Sequence, residues 1–69
     1  MRSIEIERVQ KHLQKTFGNA KIRIAPTKAK DGAEVYVGEE FIATLHRDVD
    51  EGEVSYVLTM SILDTDLTP

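Results

Sequence analysis

The hydrophobic period of this chain changes once, just past Gly18, and that change constrains the fold more than any other feature. Before it, Ile6, Val9, Leu13 and Phe17 recur at intervals of three, four and four, which is one stripe of an amphipathic helix. After it, apolar residues recur at every second position, as in a strand with one covered face. A helix stripe and a set of one-sided strands each need a partner to cover them, so the simplest fold lays the helix across the sheet.

The helix is expected over about 4–17. Ser3 is a candidate N-cap, Glu5 and Glu7 favour the positive end of the helix dipole, and Lys11 and Lys15 the negative end. Gly18 supplies a left-handed stop. Strands are expected at about 21–25, 33–37, 41–46 and 53–63. Pro26 cannot donate to a ladder and marks the first as ending there or lying at an edge. The middle two read as a hairpin around Gly38, Glu39 and Glu40, with its register open. A two-residue turn sets Tyr36 against Phe41. A three-residue loop instead collects Val35, Val37, Phe41, Ala43 and Leu45 on one face, and a slip of one residue exchanges the faces. Residues 46–52 read as an acidic loop, and 64–69 as a frayed acidic tail.

In the last strand Val54, Tyr56, Leu58, Met60 and Ile62 fall on one face, and this set is expected to meet the helix stripe as the core. The fold class is therefore α+β, a single domain over 1–69 with the order α-β-β-β-β and an antiparallel meander. A chain of 69 residues buries only about 60% of the surface its unfolded form exposes, so its stability is expected to be modest. Without cysteine neither a disulfide nor a thiolate metal site can supplement the core. Self-association is the remaining route to a larger one. No apolar run approaches the roughly 18 residues of a membrane span, and the N-terminus lacks the apolar core of a signal peptide. No membrane contact and a cytoplasmic location are expected.

Charge is divided along the chain. Up to Lys30 there are eight cations against Glu5 and Glu7, a balance of +6; from Asp31 onward Arg47 faces ten anions, a balance of −9, giving the net −3. The two halves are expected to pair in the fold and largely neutralise one another. If they do not, Lys11, Lys15, Lys21, Arg23, Lys28 and Lys30 form a candidate nucleic-acid contact, with Tyr36 and Phe41 as stacking platforms. The acidic half and the missing second helix weigh against that, because phosphate contact supplies most of such affinity.

Catalytic and metal-binding patterns are weak. His12 and His46 are not at ligand spacing, and zinc needs three or four convergent ligands. If Gly52 were the sixth residue of a calcium loop, Arg47 and Val49 would occupy ligand positions that require oxygen donors. Ser3, Ser55 and Ser61 lie in no nucleophile turn, and Glu39 and Glu40 are an unremarkable acidic pair. No catalytic, cofactor-binding or metal residue is assigned, no cofactor is expected, and an enzyme or enzyme subunit is the remotest reading.

Four blocks of the string carry a resemblance: residues 16–19 (TFGN), 33–42 (AEVYVGEEFI), 48–56 (DVDEGEVSY) and 60–67 (MSILDTDL). Together they resemble the Domain of Unknown Function 3126 family, short uncharacterised proteins of alphaproteobacteria. The resemblance covers nearly the whole chain and implies a stand-alone bacterial protein. It brings no activity, ligand or site residue. Ala43 stands where the pattern leads one to expect glycine. One helix covers one face of a sheet at most, leaving Val57, Leu63 and part of the hairpin bare. The expected function is thus a small protein-interaction or structural module, a homo-oligomer, most simply a dimer, joined through a sheet edge or face. An unidentified protein partner is a further possibility.

Overall fold

The computed structural model describes residues 1–67. Helix α1 (Ser3–Phe17) is followed by strands β1 (Ile22–Pro26), β2 (Gly32–Val37), β3 (Glu40–Asp50) and β4 (Glu53–Thr59), then a single 3-10 turn at Asp64–Asp66. The strands form one antiparallel sheet in the order β1-β2-β3-β4, the expected meander.

The helix ends as its sequence signals. Gly18 adopts φ +61°, its N–H meets the Lys15 carbonyl, and the Asn19 N–H meets that of Gln14, which satisfies two carbonyls the last turn would leave unpaired. Its start differs by one residue. Arg2, not Ser3, holds the N-cap position, and its backbone N–H donates to Glu5 Oε1 at 3.1 Å. An arginine side chain has no acceptor, so only that half of a capping box is formed.

Both readings of the β2–β3 hairpin register contain part of the answer. The turn has two residues, with Gly38 at φ +62°, and Tyr36 lies opposite Phe41. A β-bulge then places Val35 opposite Ala43, with Ile42 as the extra residue. The bulge returns Ala43 and Leu45 to the face of Val35, so turn chemistry and core pattern are both satisfied. The position where glycine was expected lies beside this bulge, and the Ala43 methyl there is buried in the core.

Residues 46–52 are not a loop. β3 continues through Asp50, and Glu51 and Gly52, at φ +51° and +82°, make the turn into β4. Positive φ at both central residues is the geometry whose twist suits a two-residue hairpin. Val49 opposite Val54 continues the alternation through an acidic stretch. β4 in turn ends at Thr59, not 63, because its pairing with β3 stops at Thr44, next to the bulge. In the expected tail, Asp64–Asp66 form the 3-10 turn, while 68–69 lie outside the described residues.

The core differs from the expected one. Its buried members are Ile22, Ile24, Ala33, Val35, Ala43 and Leu45, drawn from β1, β2 and β3. Ile6, Val9 and Leu13 of the helix stripe pack on these residues rather than on the β4 set they were expected to meet, of which only Leu58 joins the core. Phe17, Val54, Met60 and Ile62 are exposed, and Tyr56 borders on exposure. Geometry explains this. Residues 18–21 tether the helix to β1, and a helix about 10 Å across covers two or three strands spaced about 4.8 Å apart, not four.

Leu45→Ala is therefore expected to cost about 2–5 kcal/mol, as buried leucine truncations do. Phe17→Ala, at a residue 55% exposed, should stay under about 1 kcal/mol. Urea unfolding of the two variants tests the order, and an equal or reversed cost would contradict this core.

Candidate functional site

The two edges of the sheet are treated differently. β1 is closed by its own helix. Gln10 Oε1 accepts from the Ile24 N–H at 2.8 Å, and Gln14 Nε2 donates to the Ile22 carbonyl at 2.8 Å. Gln10 and Gln14 stand one turn apart on the helix, which matches two residues along a strand closely enough for both to reach. Pro26 removes a further donor from the same edge.

Among the described residues β4 has no such cover. Asp50 and Glu53 flank a two-residue turn and form a hydrogen-bonded pair, so the ladder alternates from there. Ser55 and Val57 bond inward to β3, and the backbone groups of Val54, Tyr56 and Leu58 point outward. Residues 54–63 contain no charge and no proline. Natural sheets commonly block an open edge with lysine, proline, a bulge or a covering element, and β4 carries none of these.

Beside the edge runs a groove of about 580 Å³, with Val9 and Leu13 of α1 on one side and Leu45, Val54 and Leu58 as its floor. Arg8 and His12 line its helix side. It exists because the helix stops short of the fourth strand. One end is closed by a polar junction. Tyr56 Oη donates to Glu5 Oε2 at 2.6 Å, and Arg47 Nε lies 2.9 Å from the same oxygen. The Arg47 N–H is not aimed along that line, so the contact is an ion pair more than a hydrogen bond. Asp31 Oδ1 stands 3.7 Å from the guanidinium, and the Arg47 backbone N–H donates to the Asp31 carbonyl at 2.8 Å. The Met1 amine, bonded to the Lys30 carbonyl, completes the same end.

The junction shifts the acidities of its members. The Tyr56 hydroxyl, then the Arg2 N–H, and then the charge of Arg47 hold the Glu5 carboxyl down at about 2, with partial burial working the other way. Tyr56 is raised, chiefly by its bond to Glu5. For Arg47 desolvation acts downward, but Glu5 and Asp31 outweigh it and the net shift is upward.

The six basic residues singled out from the sequence do not converge. Lys11 faces Glu7 at 3.5 Å on the helix, and Lys15 lies in its last turn. Lys21 and Arg23 sit at the β2–β3 turn, where Gly38 bonds to both. Lys28 and Lys30 belong to the loop at the other end of β1, roughly 17 Å away for a five-residue strand. The Tyr36 ring is already covered: the Arg23 guanidinium lies 4.5 Å from its centroid, and Phe41 meets it edge-on at 5.8 Å. Its hydroxyl donates to Glu34, which raises its pKa.

His12 contacts Thr16 at 3.3 Å, while His46 lies opposite Val57 on the far side of the sheet from the helix. Among the described residues no three His, Asp or Glu side chains gather closely enough to hold a metal ion, and no helix is long and apolar enough to cross a membrane. Sequence reasoning missed Gln10, Gln14 and the Glu5–Arg47–Tyr56 junction. Arg47 did carry a signal, as the lone cation among ten anions.

A helix that seals one edge of a four-stranded meander and leaves the other bare defines a small α+β module with a single open strand. The chain belongs to the family described as a protein of unknown function (DUF3126), whose model matches residues 5–66. No curated protein and no solved structure matches it.

Glu5 is held below its ordinary value, so its contribution to stability is full above about pH 4.5 and is lost as pH falls toward 2. Glu5→Gln should therefore be less stable than the parent at pH 7, with the gap narrowing toward pH 2.5. Urea unfolding at several pH values tests this, and a gap independent of pH would contradict it.

Proposed function

We propose that this protein is a self-associating interaction module that pairs with a second copy of itself through the open edge of β4. The observation that carries the reading is the asymmetry of the edges, one hydrogen-bonded by Gln10 and Gln14 and the other an uncharged strand with outward backbone groups. An added strand would satisfy those groups and cover apolar side chains together, which is how sheets recruit extended partners.

Electrostatics favours a second copy. Two chains of net charge −3 repel over most of their surfaces, and residues 54–63 are the longest stretch of the sequence without a charge. Pairing there brings no like charges together within the strand. The other face of the sheet is less suited, because it carries Glu34 and Asp48 among its polar groups.

At roughly 50 μM, well above a micromolar Kd, light scattering should give about twice the 7.8 kDa chain mass. Val54→Pro removes an outward N–H while sparing the β3 ladder, since Val49 and Val54 form a pair that exchanges no hydrogen bonds. Val57→Lys adds a charge at an exposed side chain of the same edge. Both variants should keep the parent's circular dichroism and shift to 7.8 kDa. A parent that is monomeric at this concentration would overturn the proposal.

A further inference from the structure

Resting on that reading of β4, we infer that the two copies pair antiparallel over residues 53–63 about a two-fold axis at Leu58, with residues 60–63 joining the sheet as the end of the strand. Two-fold pairing must set outward-facing backbone groups against their equivalents, so even-numbered residues meet even-numbered ones. With the axis at Leu58, Leu58 meets itself, Tyr56 meets Met60 of the second copy, and Val54 meets its Ile62. On the opposite face Val57 meets Thr59 and Ser55 meets Ser61, and Glu53 lies against Leu63. The even-numbered pairs are apolar with apolar; on the other face Ser55 and Ser61 are both small and polar, Val57 meets the β-branched Thr59, and Glu53 is a single charge against a neutral residue.

The state of residues 60–63 favours this register over shorter ones. They continue the alternation of β4, and Leu63 has an extended backbone at φ −80°, ψ 140°. Yet among the described residues they pair with no strand of their own chain, because the β3–β4 ladder ends at Thr44 and Thr59. Met60 is left 45% exposed and Ile62 70%. An axis at Tyr56 would pair only the seven residues of β4 and leave both outside. An axis at Leu58 uses eleven and covers both.

The exposed parts of Val54, Tyr56, Val57, Met60, Ile62 and Leu63, with the strand edge, amount to several hundred Å² per copy, on the scale of the roughly 800 Å² per partner of a standard interface. Since α1 stops short of β4, no helix obstructs the added strand, and the two grooves merge into one trough between the helices. The cost falls at the ends, where Asp64 comes beside Gly52 and near Glu53 of the second copy. Salt screens such contacts, so the dimer should tighten between about 0.05 and 0.5 M.

Because the chain has no cysteine, single spin labels can be placed at Ser55→Cys and at Ser61→Cys in the full chain and their separations in the dimer measured by pulsed EPR. An axis at Leu58 puts six residues between equivalent sites in both cases, so both should give a separation of roughly 20 Å. An axis at Tyr56 gives roughly 7 Å for Ser55 and 34 Å for Ser61. Met60→Lys and Ile62→Lys, outside the β3–β4 ladder, should each raise the dimer Kd at least tenfold. Unequal separations in a dimer, or an unchanged Kd in both lysine variants, overturn the register while self-association stands. A monomeric parent overturns both.

Discussion

The bonds from Gln10 and Gln14 to the backbone of β1 decide what the rest of the molecule can be. They fasten the helix to one margin of the sheet, and the short 18–21 connection leaves it no freedom to move inward. Ile6, Val9 and Leu13 then fall on β1, β2 and β3, and those three strands make the core. The fourth strand is paired on one side and covered by only the edge of the helix. In a chain this small the covered core is a minor part of the surface, so an uncovered apolar strand has a large influence on behaviour.

The second tie between helix and sheet is electrostatic. Arg47 is the sole cation of the acidic half, and it pairs with Glu5, one of two anions in the basic half. Among the described residues that is the one ion pair joining the halves, since Lys11 pairs with Glu7 and Arg47 with Asp31, each within its own half. The charge division is therefore not neutralised by contact across the fold, contrary to what the sequence led one to expect. The junction's role is mechanical. It anchors the start of α1 to β3, β4 and the β1–β2 loop, and Tyr56 reaches from the open strand to complete it.

Much of the fold is legible in the residues, because it follows from local rules. The stripe and Gly18 define α1, the alternation defines the strands, and short links force an antiparallel meander. What the string does not show depends on where the helix sits over the sheet. The period-two pattern of residues 54–62 is as regular as that of a core strand and predicts one. Nothing in the pattern says that the helix is too narrow to reach it. The hairpin at Glu51 and Gly52 is hidden because only Gly52 carries a turn signal; Glu51 adopts φ +51°, which a residue with a side chain seldom does. The bulge at Ile42 reconciles two requirements that one regular register could not meet. The open edge is not legible in the string because it depends on the Gln10 and Gln14 bonds that close the opposite strand.

Amide hydrogen exchange followed by NMR as a function of protein concentration tests the open edge most directly. The Ile24 amide, held by Gln10, should be protected at every concentration. The amides of Val54, Tyr56 and Leu58 should exchange freely when dilute and slow progressively as the concentration rises through the dimer Kd. Protection of those three amides in the dilute monomer, or rates that never change with concentration, would contradict a strand left open for a second copy.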